Sequence, residues 1–127
     1  VKITWIEGAK GEQKKAIFDQ ADIFILPTYY PNEAQPLVLL EAMATGCAII
    51  TSKAGEIPST ISSECALIID EVTSESVYEK IQIYIDNPEL IKINSIKAYE
   101  LYNEKFNLNV YAKNWEMIFE KLASSNV

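Results

Sequence analysis

The chain has 127 residues, 49% of them hydrophobic, and a net charge of −7 from 18 acidic side chains against 11 lysines, with no arginine and no histidine. The length suits one domain with its own core, and a mean hydropathy of +0.02 fits a globular protein. The charge argues against a nucleic-acid surface, which needs a basic stripe. The missing histidine excludes His-based triads and His metal sites within this chain, and no apolar run reaches the ~20 residues of a membrane span.

In chain order, Lys2–Ile6 reads as a first strand, apolar and β-branched. The first residue, Val1, lies in the same run, with no secretory or transit pattern, so the chain is read as a piece of something longer. Glu12–Gln20 reads as a helix, with Lys10, Lys14 and Lys15 on its solvated face. Ile23–Pro27, Ala48–Thr51 and Ala66–Ile69 read as further strands, apolar without alternation, as in sheets covered on both faces. Between them lie a helix over Pro36–Thr45 and a short turn near Ile57–Ile61. Alternating strand and helix predicts a parallel sheet with right-handed crossovers.

From Ser74 onward the pattern is helical only. Ser74–Asp86 carries Val77, Ile81 and Ile85 at helical spacing. Asn87-Pro88 ends it, and Pro88 opens a helix running to about Glu104. A last helix over Leu108–Ala123 puts Tyr111, Trp115, Ile118 and Leu122 on one stripe, expected to be core. Ser124–Val127 is expected to fray. Cys47 and Cys65 lack CxxC spacing and read as free, reduced thiols of a cytosolic protein, Cys47 in the core.

The most informative segment is Glu33–Glu41. Glu41 is the sole charge between Ala34 and Ser52. An unpaired carboxylate is expensive to bury, so it needs a partner, and a ligand is one candidate. Pro36 suits a helix start and Gly46 a helix end. The helix between them is apolar nearly all round, hence expected to be buried. Glu33 follows Tyr29-Tyr30-Pro31-Asn32, a turn leaving the carboxyl end of strand 23–27, in which Tyr29 and Tyr30 read as loop packing. Ligands of open α/β sheets bind at that end, and the amides of a helix start favour anions. Carboxylates accept hydrogen bonds from vicinal diols. Together these features point to a ligand that is part polyol and part phosphate, a nucleotide sugar.

The residues Ala21–Thr28, Glu33 through Ala44 with Glu33-x7-Glu41-Ala42-Met43-Ala44, then Gly46 and Ile49-Ile50-Thr51, resemble family-four (group 1) retaining glycosyltransferases. Their two-domain B-type fold has a Rossmann-like donor-binding C-terminal domain. The resemblance implies a partial Rossmann-like α/β sheet of about four parallel strands. It implies one truncated donor domain over 1–127, with the strand part to about 70 and the helical part from 74 to 123. It assigns Glu33 to the catalytic region, at the donor sugar's hydroxyls, and Glu41 to the ribose. Ala34, Gln35, Pro36, Leu37, Thr28 and Gly55 would complete the donor site. No metal and no cofactor are implied beyond the nucleotide-sugar substrate.

The resemblance further implies a glycan or lipid-linked acceptor, held by an N-terminal domain absent here, and a cytoplasmic protein peripheral at the inner face of the membrane. Ala34 and Ala54 stand where the family has glycine, and the family's diphosphate-gripping Arg/Lys pair is missing with two strands. Those strands would lie between 2–6 and 23–27 in the order 3-2-1-4-5-6. Rearranged pairing, or self-association covering the open sheet edge, is therefore expected. The competing reading is a non-catalytic nucleotide-binding module acting with a partner chain. A receiver domain is set aside, because strand 23–27 ends in Pro27-Thr28 and not in an aspartate.

Overall fold

The computed structural model describes residues 2–125. Helix α1 spans Gly11–Gln20, β1 Ile23–Leu26, α2 Leu37–Ala44, β2 Ala48–Ser52, α3 Ile57–Thr60 and β3 Ala66–Ile69. Three further helices follow: α4 Ser74–Asp86, α5 Pro88–Lys105 and α6 Leu108–Ser125. The sheet is parallel, in the order β1-β2-β3, with Phe24 beside Ile49 and Ile50 beside Leu67.

The sheet divides two hydrophobic clusters, because successive side chains of a strand point to opposite faces. Ile49 and Ala66 join Leu39, Ala42 and Met43 of α2, Ile57 of α3, Phe18 of α1 and Ala98 of α5. Ala48, Ile50 and Ile69 face the other way, onto Tyr84 of α4, with Val77, Ile81, Leu90 and Ile91 packed alongside. Helices therefore cover both faces, and β2 is buried throughout. This explains why its sequence reads as an unbroken apolar run.

Helix α2 ends as its sequence predicts. Gly46 has φ 75°, its amide donates to Met43 O, and the Cys47 amide donates to Ala42 O. This paired closure satisfies two terminal carbonyls. Pro36 stands just before the first turn, as the N-cap.

Four expectations need correction. Lys2–Ile6 is not a strand, and Ile3 and Trp5 stand nearly free in solvent. A strand has no backbone hydrogen bonds of its own, and this segment does not pair with the open edge of β1. In α4 it is Tyr84 that is buried, while Ile85 is exposed. The Tyr84 hydroxyl donates to Ile49 O at 3.1 Å and accepts from Asn94 Nδ2 at 3.0 Å, so the buried hydroxyl is bonded both as donor and as acceptor. The stripe on α6 is not core: Tyr111, Trp115, Ile118 and Leu122 are exposed and no α6 residue is buried. Spacing defines a face without saying what covers it. Finally, Ser124 and Ser125 continue α6, while Asn126 and Val127, like Val1, lie outside the described residues.

Both cysteines are buried and free, and burial pushes both thiols above their ordinary pKa. The native chain should therefore react with iodoacetamide at pH 8 far more slowly than the chain in denaturant, as followed by mass spectrometry. Tyr84→Phe leaves Asn94 without its partner and should lower stability by about 1–3 kcal/mol in a urea titration.

Candidate functional site

The carboxyl ends of the strands carry the segments that the sequence singles out. After β1 the chain turns through Thr28–Asn32 and reaches Glu33, whose amide donates to Tyr30 O at 3.2 Å. The Thr28 hydroxyl accepts from the Tyr30 amide at 3.2 Å and donates to Glu33 Oε2 at 3.5 Å. Ser52, at the end of β2 and buried, donates its hydroxyl to Thr28 O. Ser52 thus holds the backbone of Thr28, whose own hydroxyl reaches the Glu33 carboxylate. Tyr29 and Tyr30 do not pack in the loop; both are exposed.

The turn after β2 holds Glu33 from the other side. The Glu56 amide donates to Glu33 O at 2.8 Å. Gly55 has φ +49°, and a Cβ there would lie 2.0 Å from Glu33 O. Glycine is required twice over, by conformation and by contact. Ala34 and Ala54 are accommodated, because no non-glycine among the described residues has a positive φ.

Between Glu33 and α2 lie Ala34 and Gln35, both exposed, and Pro36, which is buried. Gln35 Nε2 donates to Thr60 Oγ1 at 3.4 Å. No side chain caps α2. Leu39 and Leu40 amides bond to Pro36 O, and helix geometry leaves the Leu37 and Val38 amides without an intrahelical acceptor. Leu37 is 73% exposed, so α2 is not buried all round.

Glu41, one turn further, is half-exposed, and Lys14 Nζ of α1 lies 2.6 Å from its Oε2. That oxygen is shielded from solvent and has no hydrogen bond; the contact is an ion pair outside hydrogen-bond geometry. The solvated-face reading of α1 holds for Lys15, which pairs with Asp19, and fails for Lys14. The available signal was position: Lys14 lies one turn before buried Phe18, on the same helix face. Lys53 is an exposed lysine at the end of β2, and its hydrogen bond to Asp70 holds that carboxyl below its usual pKa.

Some of these residues line three separate open pockets, and Glu33 lines none of the three. Thr28 and Gly55 share about 520 Å³ with Ser52, Lys53 and Asp70. Glu41 shares about 300 Å³ with Lys14 and Phe18. Gln35 and Leu37 face Phe106 and Tyr111 across about 330 Å³. Among the described residues no group of three or more Cys, Asp or Glu is placed to hold a metal ion, and no helix is long and apolar enough to cross a membrane.

A parallel three-stranded sheet with helices on both faces is Rossmann-like. Residues 1–101 match the family described as Glycosyl transferases group 1, and the chain belongs to that family. Over 70 residues, 54% of the chain, it is 31% identical to the D-inositol 3-phosphate glycosyltransferase of Corynebacterium efficiens and covers 16% of that protein. Sucrose-phosphate synthase from Thermosynechococcus elongatus superposes with a TM-score of 0.79 at 23% identity, over 93% of this chain and 30% of that one. Anabaena HepE in complex with UDP gives a TM-score of 0.73 at 20% identity, over 85% and 29% of the two chains, and is also known in complex with UDP-glucose. The chain thus spans less than a third of each of these proteins.

The glycines provide a graded test. Gly46 has open space around its Cα hydrogens, so Gly46→Ala carries only the left-handed backbone cost of about 1–2 kcal/mol. Gly55→Ala adds the collision with Glu33 O, and should lower the urea midpoint further than Gly46→Ala does.

Proposed function

We propose that this chain is the donor-binding part of a longer enzyme that moves a sugar from a nucleotide-sugar donor to a glycan or lipid-linked acceptor, with retention of configuration. The observation that carries this reading is the uncapped start of α2 with Glu33 before it and Glu41 within it. In this reading Glu33 accepts hydrogen bonds from donor-sugar hydroxyls beside the reacting carbon. Thr28 aims its carboxylate, and Gly55 lets the neighbouring turn close on its backbone. The Gln35 and Leu37 amides face the sugar and diphosphate, with Ala34 and Pro36, which itself has no N–H to donate, shaping the loop around them, and the helix start stabilises charge on the departing nucleoside diphosphate. Glu41 accepts from the ribose hydroxyls. The reaction is proposed to need no metal and no cofactor, and the acceptor would be held by a domain outside this chain.

The membership in a glycosyltransferase family supports the reaction class, and the fold shared with a UDP-binding protein supports the donor class. A second reading, a nucleotide-binding module that works only with a partner chain, is favoured by the bare stripe on α6 and the unpaired edge of β1. Calorimetric titration of the chain with UDP, GDP and ADP tests both. One nucleoside diphosphate is expected to bind. Glu41→Ala should weaken it about ten- to a hundred-fold, the equivalent of ~1.5–3 kcal/mol for hydrogen bonds to a charged group. Equal affinity in the variant would remove Glu41 from the site. Binding by the chain, without sugar transfer by any longer form of the protein, would favour the module.

A further inference from the structure

We propose that Lys14 is a positioning residue for the nucleotide: it fixes the Glu41 carboxylate so that one oxygen is left for a ribose diol. This rests on the reading of Glu41 as the ribose acceptor. Lys14 belongs to α1 and Glu41 to α2, so their contact joins two helices across the Glu41 pocket. It differs in kind from Lys15–Asp19, which lies within one helix turn on the surface, where such pairs contribute little. The ammonium sits on Oε2, the shielded oxygen. The glutamate side chain is nevertheless 43% exposed, and with Oε2 shielded that exposure leaves Oε1 and the stem open to the pocket.

Two physical consequences follow. A carboxylate on an apolar helix face would otherwise rotate freely toward water, and one clamped oxygen removes that freedom. The lysine charge also offsets that of Glu41, which in a chain of net charge −7 would repel a nucleoside diphosphate. Gly11, Lys15, Phe18, Ala44 and Thr45 complete the walls; the one further charge among them, Lys15, is paired with Asp19 of its own helix.

The test compares the best-binding member of UDP, GDP and ADP with its 2′-deoxy form, by calorimetry on the full chain. The wild type is expected to prefer the ribose form. Lys14→Met keeps the apolar stem and should bind the ribose form about tenfold more weakly, with the preference over the deoxy form lost. Lys14→Arg should restore the preference. Lys14→Gln serves as a second neutral variant, with circular dichroism confirming the fold of each. A tether with only a structural role would weaken both nucleotides equally, so an unchanged ribose preference in Lys14→Met and Lys14→Gln overturns the proposal. If that preference survives there but is lost in Glu41→Ala, the ribose reading stands and Lys14 is excluded. If the wild type binds none of the three nucleotides, the donor reading fails and this proposal with it.

Discussion

Every layer of this fold closes on β2. All five of its residues are buried, which a strand sustains only between two neighbours and under two helix layers. Ile49 feeds the cluster beneath α2 and α5, while Ala48 and Ile50 feed the one beneath α4. The polar groups of the strand are used as tightly as the apolar ones. Ile49 O accepts from Tyr84, Thr51 Oγ1 donates to Leu26 O, and the Ser52 hydroxyl holds Thr28 O. Through Thr28 the strand reaches the Glu33 carboxylate. The geometry of the proposed site is thus inherited from the most buried element of the molecule, although the site itself lies in exposed loops.

The electrostatics follow from the same economy. The chain has no arginine fork with which to grip phosphate. What it offers at the strand ends is an uncapped helix start, whose free amides attract anions without adding a side chain. Lys14 supplies a charge beside the helix, and it reaches Glu41 because α1 turns its Phe18 face inward.

Elements marked by a continuous apolar run or by proline and glycine punctuation were legible; placements decided by one distant contact were not. The apolar runs Ala48–Thr51 and Ala66–Ile69 marked β2 and β3 to within a residue, because β-branched runs of that length serve mainly as buried strands. Pro88 and Gly46 punctuated α5 and α2 through fixed φ and positive φ. Lys2–Ile6 carries two isoleucines, as β3 does, yet without a ladder partner it forms no strand. The choice of Tyr84 over Ile85 was decided by a hydroxyl that finds Ile49 O and Asn94, a long-range match that spacing does not encode. In the site, the Glu33-x7-Glu41 pattern drew attention to both carboxylates. Their supports, Ser52, the Glu56 amide and Lys14, are ordinary residues in the sequence and gain meaning only from where the chain brings them.

The bare stripe of α6 has a consequence for how the chain comes apart. Its 18 residues bury no side chain, whereas the strands and α2 share two cores. A helix held this loosely can unzip while the sheet stays folded, since local opening follows the density of buried contacts. Unfolding of the isolated chain is then not all-or-none, and one free energy will not describe it. Cooperativity extending through the last helix becomes a property of whatever surface comes to cover that stripe.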